Sequence, residues 1–72
     1  MEILTITTEF IKLQDMLKFA NLVATGGEAK NLILDGYVQV NGEACTQRGK
    51  KLRPGDVVSF QGKEYGIQYA DQ

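Results

Sequence analysis

The residues with the clearest capacity for chemistry in this sequence are basic and lie close together. Half of its eight lysines and arginines fall within residues 48–53, where no acidic residue stands. These four residues, which we call the basic cluster, are Arg48, Lys50, Lys51 and Arg53. Short basic clusters are usually solvated loops, but lysine and arginine are also the side chains that contact phosphate groups. Charge alone therefore leaves both interpretations open.

The sequence contains few of the side chains that catalysis or metal binding requires. The 72 residues include no histidine and one cysteine, so a Ser-His or Cys-His pair and the usual zinc-finger spacing are both excluded. A chain of this length also has little room for a concave catalytic pocket. We expect a binding module rather than an enzyme, without metal or cofactor. Cys45 is expected to be a small buried residue of a strand rather than a reactive thiol.

The composition is that of one small folded domain. Hydrophobic residues make up 43% of the chain, the mean hydropathy is −0.20 and the net charge is −1. No apolar run approaches the ~18 residues of a membrane span, and the first residues lack the pattern of a signal peptide. A single cysteine cannot form an internal disulfide. We therefore expect a cytoplasmic monomer without a membrane segment.

The first 21 residues predict a strand followed by an amphipathic helix. Residues 3–8 are rich in β-branched side chains and favour a strand. From residue 12 to about 21 the apolar residues recur with helical periodicity. Their shared arc contains Phe10, Leu13, Met16, Leu17 and Ala20. Phe19 lies near the polar flank of this helix, and we expect Phe19 and Met16 to be core or boundary residues rather than a stacking platform.

A second helix is predicted by its capping signals. Thr25 and Glu28 have the spacing of a capping box, in which the Thr25 hydroxyl accepts the Glu28 N–H and the Glu28 carboxylate accepts the Thr25 N–H. Gly36 is placed to end this helix in a left-handed conformation. Gly26 and Gly27 have two interpretations. They permit a tight entry turn, or they expose N–H groups that could bind a phosphate.

The rest of the chain predicts strands punctuated by turns. Asn41-Gly42 is typical of a type I′ hairpin, Pro54-Gly55 of a type II turn, and Gln61-Gly62 of a further turn. Strands are expected on either side of each turn, with the last at residues 64–69 pairing with the first. The predicted fold class is α+β, with two short helices packed on one side of a small, bent, mostly antiparallel sheet of about five strands.

Two motifs behind the predicted helices resemble a known family. Residues 36–42 read G-Y-V-Q-V-N-G and residues 53–58 read R-P-G-D-V-V. Together they resemble the S-four type RNA-binding domain, also called the alpha-L motif, and its small stand-alone bacterial members in particular. The resemblance covers residues 12–60, so we expect a single domain over residues 1–72 with a flanking strand at each end of this core motif.

The resemblance implies a non-catalytic module that binds structured RNA through phosphate and shape contacts. The expected RNA is ribosomal or transfer RNA, either free or in an assembling ribosomal particle. Carried over position by position, the RNA-binding residues would be Lys12, Lys30, Arg48, Lys50, Lys51 and Arg53. The acidic residues Asp35, Glu43, Asp56 and Asp71 are expected to lie away from these six.

Two departures from the family pattern keep an alternative open. Asp15 stands where a basic residue is frequent in relatives, and Thr25-Gly26 stands where relatives commonly have Ser-Arg. Together with the net charge of −1, they favour a protein-interaction adaptor of the same fold with weak or no RNA binding. That alternative predicts that Lys12, Lys30 and the basic cluster do not share a face.

Overall fold

The order of helices and strands follows the change in apolar periodicity along the chain. The computed structural model describes residues 1–70, and its first part contains β1 (Glu2–Ile6), β2 (Ile11–Lys12), α1 (Leu13–Phe19) and α2 (Gly26–Leu34). The remaining strands are β3 (Val38–Val40), β4 (Glu43–Ala44), β5 (Lys51–Leu52), β6 (Val57–Phe60) and β7 (Lys63–Tyr69). The α+β class and the two short helices predicted from the sequence are confirmed.

The main sheet has five strands in the order β1-β7-β6-β3-β4. The strands β6 and β7, β3 and β6, and β3 and β4 pair antiparallel, whereas β1 runs parallel to β7. The predicted pairing of the first and last strands is therefore confirmed. The sequence did not predict the second sheet, in which β2 pairs antiparallel with β5.

Positive backbone φ angles occur at the predicted turns. Asn41 and Gly42 have φ of 52° and 88°, so both central residues of this hairpin turn are left-handed as a type I′ turn requires. Gly55 has φ of 99°, and the Asp56 N–H donates to the Arg53 carbonyl oxygen at 3.0 Å. That bond and the position of Pro54 give the predicted type II turn.

Helix α2 is capped at both ends by its own sequence. At the start, the Thr25 hydroxyl accepts the Glu28 N–H at 3.2 Å, as predicted. The Glu28 carboxylate was predicted to accept the Thr25 N–H, but it accepts the N–H of the preceding residue, Ala24, at 2.9 Å. This half of the capping-box prediction is therefore wrong by one residue. At the end, Gly36 has φ of 81°, and the N–H groups of Gly36 and Tyr37 donate to Ile33 and Leu32 in a Schellman motif.

One core joins the helices to the sheet. The helices contribute Leu13, Met16, Leu17, Ala29 and Ile33, and the strands contribute Leu4, Ile6, Val38, Val40, Leu52, Val58, Phe60, Tyr65 and Ile67. Met16 is fully buried, as expected, but Phe19 is 54% exposed, and its expected core or boundary role is wrong. Helix α1 is shorter than predicted and ends at Phe19 with Asn21 in a left-handed conformation, which leaves Phe19 outside the packed stripe.

Candidate nucleic-acid interface

Two lysines face each other across the short sheet formed by β2 and β5. Lys12 is the register partner of Lys51, and Ile11 is the partner of Leu52. Directly opposed residues of an antiparallel pair project to the same side. Leu52 is fully buried and Ile11 packs on the core, so this sheet has one face toward the core and one toward solvent. Lys12 and Lys51 are exposed on the solvent face.

The ring of Phe10 extends this solvent face. Lys51 Nζ lies 4.9 Å from the centroid of the Phe10 ring, and Arg53 Cζ lies 5.8 Å from it. Both distances are within the range at which a cation is attracted to the face of an aromatic ring. We call β2 and β5 with the flanking residues Phe10 and Arg53 the basic ribbon. It brings three of the six predicted site residues together.

The other two members of the basic cluster are held at the start of α1. The Leu13 N–H donates to the Lys50 carbonyl oxygen at 2.8 Å, and the Gln14 N–H donates to the Arg48 carbonyl oxygen at 3.1 Å. Lys12 occupies the N-cap position without a side-chain hydrogen bond to the helix. The backbone of residues 48–50 therefore supplies acceptors for N–H groups that a first helical turn leaves open. Arg48 and Lys50 are both exposed there.

Arg53 is fixed through its backbone by an acidic residue. The Arg53 N–H donates to the Asp56 carboxylate at 2.8 Å, and the other oxygen of that carboxylate accepts the Asn41 side-chain amide at 3.1 Å. The Asn41 side-chain oxygen in turn accepts the Val57 N–H at 2.9 Å. The expectation that Asp56 lies away from the basic residues is therefore wrong. The Pro-Gly turn reverses the chain and thereby brings Asp56, its fourth residue, back beside Arg53, its first.

Of the remaining residues in question, Lys30 lies in α2, Asp35 lies at the end of α2 and Glu43 lies in β4. Lys30 is exposed on α2 beside the buried Ala29. Asp35 is the C-cap residue of α2. Glu43 lies on β4 and lines an open hollow of about 320 Å³ together with Lys50, so it is not remote from the basic cluster. Asp71 lies outside the described residues.

The cations of the basic ribbon have no carboxylate neighbour within ion-pairing distance. Among residues 1–70, the one ion pair is Lys18 with Asp15, at 3.6 Å. The Asp15 carboxylate that departs from the family pattern is therefore partly balanced by its own neighbour on α1. Lys12, Lys51 and Arg53 are left as an exposed positive surface, which can bind an anion such as a phosphate group.

A hollow on the described part of the chain lies apart from this surface. This open hollow of about 630 Å³ is lined by residues in and next to β1, β6 and β7 and by none of the six predicted site residues. Residues 1–70 contain no group of three or more His, Cys, Asp or Glu that could hold a metal ion. No helix in the same range is long and apolar enough to cross a membrane.

Sequence reasoning missed Phe10 and the basic ribbon. Phe10 was assigned to the apolar arc of the first helix, whereas the structure places it before β2. A signal was present in the alternation of side chains. Residues 10–12 read F-I-K and residues 51–53 read K-L-R. In each segment the central aliphatic residue would face the core, and the residues on either side of it would face solvent. This period of two is typical of strands, but segments of two or three residues are too short to predict pairing.

Comparisons with known proteins identify the family and the fold of this chain. The sequence profile of the S4 domain matches residues 4–68. The "Probable ribosome maturation protein RlbA" of Bacillus subtilis (strain 168) is 42% identical over 59 residues, which cover 82% of this chain and 83% of that protein. The crystal structure of the 30S ribosomal protein S4e from Thermoplasma acidophilum is similar with a TM-score of 0.66 and 23% identity. That similarity covers 92% of this chain and 35% of the ribosomal protein, and at this identity it shows the fold.

Proposed function

Because the chain belongs to the S4 domain family, the S-four type of RNA-binding domain, we propose that it is a non-catalytic RNA-binding module that acts in ribosome maturation. Its ligand is structured ribosomal RNA, contacted through phosphates and shape rather than base sequence. In the proposal the whole chain acts as one monomeric domain. The RNA-binding residues are Lys12, Lys30, Arg48, Lys50, Lys51 and Arg53.

The observation that carries the proposal is the meeting of distant basic residues beside α1. Lys12 is separated from the basic cluster by more than thirty positions, yet Lys12 pairs with Lys51 in register, and the carbonyl groups of Arg48 and Lys50 bond to α1. Side chains cannot enter the deep major groove of an RNA helix, so proteins contact its phosphates and 2′-hydroxyl groups instead. Exposed lysines and arginines on a hydrogen-bonded backbone suit that task.

A role in ribosome maturation is supported by the relatives. The Bacillus subtilis protein carries that description in its name and is matched over most of its length. The ribosomal protein shares the fold, although this chain spans only about a third of it. The name of the Bacillus subtilis protein supports the choice of ribosomal RNA rather than transfer RNA as the proposed ligand.

Cosedimentation with ribosomal subunits across a salt series tests this function. Each neutralised phosphate should contribute about −0.7 to −0.9 to the slope of log affinity against log salt concentration. Replacing Lys50 and Lys51 together with glutamine should flatten that slope by roughly one to two units. The fold should persist, because exposed substitutions usually change the free energy of unfolding by less than about 0.5 kcal/mol.

The matched control is Lys63→Gln at the start of β7. Lys63 is exposed and its cross-strand partner is Phe60, so the control removes a positive charge outside the basic cluster. Its slope should stay at the wild-type value. An unchanged slope in the Lys50/Lys51 double variant would show that the basic cluster is a solvated loop.

A protein-interaction adaptor is the second candidate. It is favoured by the net charge of −1 and by the exposed ion pair that Asp15 forms with Lys18 on α1. An adaptor that has lost RNA affinity would remain free of purified ribosomal RNA at every salt concentration, while still associating with a protein. The same salt series, repeated with RNA extracted from the subunits, therefore discriminates between the two candidates.

A further inference from the structure

The basic ribbon contains one side chain that carries no charge and yet contacts two cations. Phe10 is half-buried, and Lys51 Nζ and Arg53 Cζ lie 4.9 Å and 5.8 Å from its ring centroid. Its backbone is held on both sides, since its carbonyl oxygen accepts the Thr8 hydroxyl at 2.8 Å and the next residue, Ile11, pairs with Leu52. The position from which the ring projects is therefore fixed and the ring is partly enclosed, whereas the two cationic side chains are long and exposed.

Lys51 and Arg53 have few other constraints. They are exposed, and no ion pair of residues 1–70 includes them. Arg53 is bonded to Asp56 through its backbone N–H, which fixes where the side chain begins and not where the guanidinium lies. A free lysine or arginine loses substantial rotamer freedom when it binds a phosphate. Contact with the Phe10 ring restricts that freedom before binding and so reduces this cost.

We propose that Phe10 is a positioning residue of the RNA-binding surface, which holds Lys51 and Arg53 in the arrangement in which they contact phosphates of the RNA backbone. Lys12, opposite Lys51 on β2, completes the anion-binding face. The two opposed lysines repel each other in the free protein, and an RNA phosphate between them relieves that repulsion. This inference rests on the proposed RNA-binding function and assigns Phe10 a part in it.

The test is the affinity of the Phe10→Leu variant for ribosomal RNA extracted from bacterial subunits, measured by filter binding across a salt series. We expect binding about two- to fivefold weaker per folded molecule, which corresponds to the strength of an exposed cation–π contact. The salt slope should be unchanged because no charge is removed. Phe10→Tyr, which keeps the ring, should bind as tightly as the wild type.

A double-variant comparison and a matched control sharpen the test. In a Lys51→Gln background, Phe10→Leu should weaken binding less than it does in the wild type, because one of the two positioned cations is already absent. Phe19→Leu is the control, since Phe19 is 54% exposed and contacts neither cation. That variant should bind RNA with wild-type affinity and slope.

A second measurement covers the case in which Phe10→Leu does not fold. In the NMR spectrum of the free wild-type protein, the methylene protons next to Lys51 Nζ should be shifted upfield by the ring, and those of Lys30, which is exposed on α2, should not. Unshifted Lys51 protons would overturn the inference, as would a folded Phe10→Leu variant with wild-type affinity. If the wild-type protein itself does not bind the RNA at any salt concentration, the proposed function falls and the inference falls with it.

Discussion

Lys12 and Lys51 occupy directly opposed positions on β2 and β5, where like charges are unfavourable. Lys12 is also the N-cap residue of α1, a position at which the helix dipole disfavours a positive charge. Repulsion from Lys51 and the dipole of α1 thus both act against the charge of Lys12, which makes no ion pair within residues 1–70. The arrangement is consistent with a surface that is stabilised when an anion binds to it.

At the residue scale, we predict that Lys12→Gln stabilises the free protein while weakening its binding to RNA. The free energy of unfolding should rise by about 0.2–1 kcal/mol at low salt, the magnitude of a cross-strand charge pair, and the gain should shrink in 1 M salt because of screening. Urea unfolding at the two salt concentrations measures it. Lys63→Gln, which lies opposite Phe60, should show no such gain; a loss of stability in Lys12→Gln would contradict the prediction.

At the scale of an element, α2 begins with two glycines that its backbone does not require. Gly26 and Gly27 lie inside the helix, neither has a positive φ, and a Cβ on Gly26 would meet no atom within 4 Å. The predicted tight entry turn therefore does not explain them. Gly36 at the other end of the helix differs, because residues other than glycine rarely adopt its backbone φ of 81°.

The contrast between the two ends of α2 gives a prediction for the element. Gly26→Ala should raise the free energy of unfolding by about 0.5–1 kcal/mol, because alanine loses less conformational freedom in a helix. Gly36→Ala should lower it by about 1 kcal/mol or more through backbone strain. Thermal unfolding of both variants measures this. If Gly26→Ala folds normally but binds ribosomal RNA more weakly, the open space above the first turn is occupied by the RNA backbone.

At the scale of the whole molecule, the basic ribbon and the core share a strand. Leu52 of β5 is fully buried, while its neighbours Lys51 and Arg53 project to the solvent face. A domain of about 70 residues has a total stability of roughly 3–5 kcal/mol. The packing of Leu52 therefore supports both the fold and the placement of the cations. A substitution at Leu52 that weakens the core should also displace Lys51 and Arg53.

We predict that Leu52→Ala costs about 2–5 kcal/mol, most or all of the stability of the domain. Circular dichroism at 25 °C should show a substantial unfolded fraction, and RNA binding should decrease in proportion to it. Leu34→Ala is the matched control, because Leu34 is 51% exposed at the end of α2, and it should cost less than about 0.5 kcal/mol. A folded and stable Leu52→Ala variant would show that the core does not depend on β5.

The amino-acid sequence by itself determined the features that arise from local interactions. The Thr25 cap, the left-handed Gly36, the Asn41-Gly42 hairpin and the Pro54-Gly55 turn depend on residues at most a few positions apart, and all are present in the structure. The apolar periodicity that predicted α1 likewise reflects the geometry of that element alone. These local signals, with the two motifs of the S-four type family, were sufficient for the fold class.

Only the tertiary structure decided how distant segments meet. The pairing of β2 with β5 joins residues about forty positions apart through two short strands, and neither segment has a preference strong enough to predict it. The same pairing takes Phe10 out of the predicted helical stripe and sets it against Lys51 and Arg53. Such contacts arise because burying Ile11 and Leu52 on one side of the ribbon leaves their neighbours together on the other. The residue types of the candidate site were readable in sequence, but its arrangement depended on the packing of the core.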